Sequence, residues 1–150
     1  MDNLVLHPTE TAQWHALVHE AQEAARRNLG EDLESYLVFL LMRFIQKPQI
    51  AASILATQYL ESMQGVKSEH KEKLRDVGDQ CLLFSGLFPR RAEKKSVRIS
   101  YFVDLGRSAY QQLSSLSRHQ TAKIYQNLAG GFVSLMDVLH AMRALDTSQE

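Results

Sequence analysis

The sequence predicts an all-α protein, a compact bundle of about six helices, and three observations carry that prediction. Apolar residues recur three and four positions apart along most of the chain, which is the spacing of one helical face. Gly and Pro stand between these stretches, where helices stop and start. The one alternating run, Val97, Ile99, Tyr101 and Val103, fits a helix better once the window is lengthened to include Phe102, Gly106, Ala109, Tyr110 and Leu113.

The first helix is expected from Thr9 to about Asn28, with a face of Trp14, Leu17, Val18, Ala21, Ala24 and Ala25. Thr9 after Pro8 suits an N-cap, and Gly30 suits the stop. The second runs from about Asp32 to Gln46 and is apolar nearly all round, which calls for neighbours on several sides. Pro48 breaks it and then suits the first turn of a third helix, from about Gln49 to Gln64, with Gly65 as its stop. Ser68 is placed to cap a fourth helix with the face Leu74, Val77, Cys81, Phe84 and Phe88, ending at Pro89. Gly78 and Gly86 interrupt that face where another helix comes close, and Ser85 is placed to bond back one turn. A fifth helix is capped by Ser100. The last spans His119 to Leu145, bending at Gly130-Gly131 while its apolar register continues on both sides. No segment repeats at a fixed period, so a solenoid is not expected.

At 150 residues, 45% of them hydrophobic, the chain reads as a single domain over 1–150 with a frayed tail at 146–150. A chain of this length holds a core without disulfides or structural zinc, and its single cysteine, Cys81, has no partner for either. Its 17 basic and 17 acidic residues sum to zero, which disfavours nucleic-acid binding through a global positive field. The most apolar window, Tyr36 to Ile45, contains Arg43 and is about half the length of a membrane span, so it reads as a core helix. The N-terminus lacks the basic start and apolar run of a secretory signal, and a cytoplasmic location is expected.

No nucleophile elbow, phosphate-binding glycine loop, paired zinc-binding histidine motif or dinucleotide fingerprint is present, so a non-catalytic protein is expected. His15 and His19 lie four apart on the first helix with Glu23 one turn further, a spacing that suits a metal chelate or half-buried hydrogen-bonded residues at the edge of the apolar face. Asp137 and His140, three apart on the last helix, make one carboxylate–histidine element, where a di-metal bundle needs two. The run Arg90, Arg91, Lys94, Lys95 and Arg98 is a candidate anion-binding loop. Outside it, with Glu93 set aside too, the chain carries 12 basic and 16 acidic residues, so charge is locally segregated. No aromatic residue interleaves the run to stack on bases, and nucleic acid is not the expected partner.

The stretch Leu82-Leu83-Phe84-Ser85-Gly86-Leu87-Phe88-Pro89, with Ser100 to Tyr110 beyond the basic loop, resembles a pattern in uncharacterised all-helical proteins of proteobacteria. That resemblance implies a bacterial, cytoplasmic, all-helical protein and brings no activity. Tyr125-Gln126-Asn127-Leu128-Ala129-Gly130-Gly131 is similar to the distal-helix motif of heme oxygenases, with Asn127 where that family has Asp. This likeness implies heme as cofactor, His15 or His19 as the iron ligand, and a backbone at Gly130 and Gly131 close to the heme.

The leading expectation is a protein-interaction or regulatory module without catalysis and without cofactor, whose partner is another protein or a second copy in a homodimer. The alternative is a heme- or metal-binding helical bundle using a first-helix histidine with Gly130 and Gly131.

Overall fold

The computed structural model describes residues 2–46, 67–89 and 98–148, and these form six helices. They are α1 (Asp2–Ala25), α2 (Glu31–Gln46), α3 (Lys67–Leu87), α4 (Ile99–Leu116), α5 (His119–Gly130) and α6 (Phe132–Ser148). The all-α expectation holds, with no strand among the described residues. The third expected helix lies outside them.

α1 begins well before Thr9 and runs through Pro8, so Thr9 is not its cap. Pro8 has no N–H to give the helical ladder, and the helix continues past that gap. Its end also differs from expectation. Arg26 takes a left-handed φ of 56°, and the amides of Arg27 and Arg26 return to the carbonyls of Gln22 and Glu23 at 2.9 and 3.2 Å. This pair of hydrogen bonds closes the helix in a Schellman motif, with Arg where Gly is usual. Gly30, expected as the stop of α1, instead opens α2. Its φ of 83° suits a glycine, and its carbonyl accepts from Glu34 N at 3.0 Å. Glu31, Asp32 and Glu34 then sit in the first turn of α2, where the positive end of the helix dipole favours acidic residues.

α3 is the spine of the bundle, packed along α4 and α6. Leu74, Val77, Cys81, Phe84 and their neighbours are buried as the periodicity predicts. Gly78 and Gly86 do mark close approach. A Cβ on Gly78 would fall 2.5 Å from the Tyr110 ring of α4, and one on Gly86 would fall 2.6 Å from Leu139 of α6. Ser85 Oγ donates to the Cys81 carbonyl oxygen at 2.7 Å, the expected bond one turn back. At the far end, Arg143 Nη1 donates to the Leu87 carbonyl oxygen at 3.0 Å, placing a cation at the negative terminus of α3.

α4 starts at Ile99 after Arg98, which occupies the cap position without a side-chain cap bond, so Ser100 lies in the first turn and not at the cap. Its buried face, Phe102, Gly106, Ala109, Tyr110 and Leu113, has helical spacing throughout, which disposes of the strand reading. Between α5 and α6 the chain turns at Gly131 (φ −99°, ψ 14°), so the expected single bent helix is two. Helical bonds bracket that turn: Gly131 N to Asn127 O at 2.8 Å and Leu135 N to Gly131 O at 2.9 Å. α6 extends to Ser148, into the segment expected to fray.

The core is one cluster contributed by every helix, with Tyr110, Phe132, Leu37, Leu74, Leu82 and Leu135 among its largest fully buried side chains. Each such side chain contributes about 1.5–3 kcal/mol of burial. No helix among the described residues is long and apolar enough to cross a membrane.

Candidate functional site

The densest polar chemistry is inside the bundle, where sequence reasoning placed none. Asp79 of α3 has no solvent exposure. Tyr36 of α2 and Tyr110 of α4 both donate their hydroxyls to its Oδ1, at 2.7 and 2.6 Å. Arg43 of α2 donates through Nη2 to Oδ2. Tyr125 of α5 closes the group, stacked on the Tyr110 ring at 6.3 Å and edge-on to Tyr36 at 6.3 Å. Three helices therefore meet on one carboxylate, and a fourth packs against its tyrosine donors.

The electrostatics follow from burial. Desolvation pushes the Asp79 carboxyl above its usual range, against the opposing pull of the tyrosine hydroxyls and Arg43. Burial and the adjacent carboxylate raise the Tyr36 and Tyr110 phenols well above theirs, and Tyr125 more mildly for the same reasons. Burial opposes the Arg43 charge, but Asp79 beside it carries its pKa up. Asp76, one turn away, is raised by burial and then by Asp79. With donors on both oxygens, this carboxylate is better suited to clamp α2, α3 and α4 than to take a substrate proton.

A second polar group sits at the corner between α1 and α2. Glu34 accepts from His15 Nδ1 at 3.3 Å and from Gln22 Nε2 at 2.8 Å. Gln22, itself buried, accepts the Leu29 amide on its Oε1 at 2.9 Å. The corner is thus wired from a helix face through a side-chain amide into the connecting turn. Open grooves flank it, one lined by His19, Glu23, Arg27 and Glu31, the other by Gly30, Asp32, Asn127 and Gly131.

The structure separates the residues that sequence reasoning grouped. His15 faces Glu34, whereas His19 is exposed and pairs with Glu23 at 3.2 Å. Gly130 and Gly131 line the other groove, which neither histidine reaches. A Cβ on Gly131 would meet Leu33 at 3.1 Å, while Gly130 has open space around it, so close approach at this pair serves helix packing at Gly131 alone. Asp137 turns to Arg27 at 2.8 Å, and His140 Nε2 donates to the Ser85 carbonyl oxygen at 3.1 Å, so these two also diverge. No group of three His, Cys, Asp or Glu suited to a metal ion occurs among the described residues. Arg90, Arg91, Lys94 and Lys95 lie outside the described residues, and Arg98 is exposed at the start of α4. Cys81 is buried, and burial pushes its thiol pKa up, away from reactivity.

One feature of α2 is apolar and faces outward. Phe39 is the residue on that outer side: Ile45 lies a third of a turn further round, in line with the buried Val38 and Leu41, and Met42 packs against the core. Phe39 is 60% exposed and Ile45 57%, the two most exposed large apolar side chains described, with Met42 half-buried between them.

The fold and these groups define an all-α bundle clamped on a buried carboxylate, with Phe39 exposed on the outer side of α2. No protein-family model, curated protein or solved structure matches the chain.

Proposed function

We propose that this protein is a protein-interaction module without catalysis, and that the outer side of α2 around Phe39 is where its partner docks. The observation that carries this reading is the 60% exposure of Phe39 on a helix whose inner face supplies the core with Leu33, Leu37, Val38, Leu40 and Leu41. Folding uses the opposite side of α2, and the Phe39 ring is surplus to it. Exposed apolar side chains grouped on one element are the usual mark of a binding face. The interior polar cluster supports the same reading, because a fully buried carboxylate that already accepts three hydrogen bonds is shut off from substrate. A cytoplasmic setting belongs to this reading, in keeping with the lone, buried Cys81 thiol.

The test is site-specific photocrosslinking in the full chain, with benzoylphenylalanine at position 39 and, as control, at the exposed Gln111 on α4. A discrete adduct at position 39 that is absent at 111 is the expected result. No adduct at 39, or the same products at both positions, overturns the assignment.

A further inference from the structure

We propose that the N-terminal half of α5 is a duplex-DNA contact that lies in the major groove, with Arg118 on a phosphate and Gln120 and Lys123 on base edges. Helical spacing brings His119, Gln120, Lys123, Gln126, Asn127 and Gly130 onto one face with Lys123 at its centre, and all six are exposed. Leu128 and Ala129 are buried on the other side. A solvated helix face ordinarily carries charges of both signs. This one carries no acid. None occurs from Leu105 to Met136, a stretch that holds Arg107, Arg118 and Lys123 and covers all of α5. The zero formal charge of the whole chain removes attraction through a global field and leaves a local face of this kind open.

The mount of α5 is firm. Ser117 and Arg118 alone separate it from α4. Ser114 Oγ donates to the Ala122 carbonyl oxygen at 2.8 Å and Arg107 Nε to that of Ala129 at 3.2 Å, so α5 runs back along α4 and is tied to it near both ends. Among the described residues, the side chains of Arg118, Gln120 and Lys123 make no hydrogen bond or ion pair within the chain, which keeps them available. Their chemistry matches the groove: an amide pairs with adenine N6 and N7, and an ammonium with guanine O6 and N7. Three helical residues rise about 4.5 Å, so Gln120 and Lys123 reach neighbouring base pairs. Glu31 and Asp32 of α2 stand with Gln126 and Asn127 in the groove at the other end of α5, where they repel phosphate. Charge along α5 therefore runs from basic to acidic, and the N-terminal half makes the contact, as in other helices that read DNA. The deep, narrow major groove of an RNA duplex does not admit a helix, which sets the duplex as DNA.

Fluorescence anisotropy of the purified full chain with a labelled mixed-sequence DNA duplex, over a salt series, tests the assignment. Binding is expected to weaken as salt rises, and Arg118→Gln to lower the slope of log K against log salt by about 1. Lys123→Glu should weaken binding about tenfold while its thermal melt stays that of wild type, because the side chain is exposed. Duplexes enriched from a random pool by wild type should share a short sequence, and Gln120→Ala should relax it at one base pair without changing affinity for the mixed duplex. Absence of salt-sensitive duplex binding overturns the proposal. So does binding that survives Arg118→Glu combined with Lys123→Glu, which would move the contact to the basic run at 90–98, or equal binding of an RNA duplex. Crosslinking from position 39 is read separately, so the α2 and α5 assignments fall independently.

Discussion

Asp79 and Glu34 are both carboxylates strung between helices, each accepting from two or more side chains, yet one has no solvent exposure and the other keeps a quarter of its side chain in water. Asp79 gathers Tyr36, Tyr110 and Arg43 from two other helices, whereas Glu34 gathers His15 and Gln22 from α1. The number of bonds is similar and the consequence of losing one is not. In the interior a deserted donor has no water to turn to, while at the corner it has. Hydrogen bonding at Asp79 is therefore obligatory for the arrangement of α2, α3 and α4, and at Glu34 it trims the entry into α2.

The sharpest way to break that comparison is to remove Asp79. Asp79→Ala strands the Tyr36 and Tyr110 hydroxyls and leaves Arg43 without its counter-ion, and it should cost about 3–5 kcal/mol in urea unfolding. A loss no larger than that of a surface carboxylate would show that the cluster is dispensable. Asp79→Asn adds a pH readout. Burial raises the native Asp79 pKa above its unfolded value, so the native state holds the proton more tightly than the unfolded chain does. Stability from this group is complete below the ordinary carboxylate range and is lost as pH rises through the raised value. The asparagine cannot titrate. Wild type should therefore lose stability relative to Asp79→Asn as pH rises from the ordinary carboxylate range upward. A difference that instead grows with pH would mean that the donors outweigh desolvation.

Gly78→Ala probes the same cluster from its back. The new methyl would meet Cε1, Cδ1 and Cζ of the Tyr110 ring at 2.5 to 2.8 Å, and that ring is held by its bond to Asp79. Overpacking of this kind costs about 1–3 kcal/mol and exceeds the helix-propensity gain of about 1 kcal/mol at most partners this rigid. Equal or higher stability by thermal melt would show that Tyr110 is free to move. On the other side of the comparison, Gln22→Ala removes the acceptor of the Leu29 amide and one donor to Glu34, with an expected cost of about 1 kcal/mol. Amide exchange should quicken at Leu29 and stay slow at Asp79.

The sequence made the helices legible because their signal is local and repeated. The inward face of α4 and that of α3 can be read off at three- and four-residue steps, and so can the close approach at Gly78 and Gly86. Their caps were less legible. Arg26 closes α1 in a conformation that favours glycine, and Gly30 nearby drew the boundary to itself. The polar cluster was missed because its members are scattered over four helices, and only tertiary contact joins Tyr36 to Asp79 and Tyr110. A signal was present all the same. Asp79 is an acid inside an apolar helix segment, and Tyr36 and Tyr110 sit on faces expected to be buried, where a hydroxyl needs an acceptor. His15 and His19 misled for the opposite reason, since a shared helical strip fixes proximity and not a shared target.

The smallest expected effect bears on the outer face of α2. Phe39→Ser, measured in urea, should change stability by no more than about 0.5 kcal/mol, as for a surface site. Phe39 is 60% exposed, so its removal leaves no cavity, whereas Leu37, two residues earlier on the inner face, is fully buried. The near-zero value matters because α2 carries both the strongest interior bonds and the most exposed apolar side chain. Should Phe39→Ser destabilise the chain by as much as Gln22→Ala, Phe39 belongs to folding and the two sides of α2 do the same work. If it leaves stability untouched and abolishes partner binding, the helix is divided, with Tyr36 and Arg43 facing Asp79 for the fold and Phe39 facing outward for the partner.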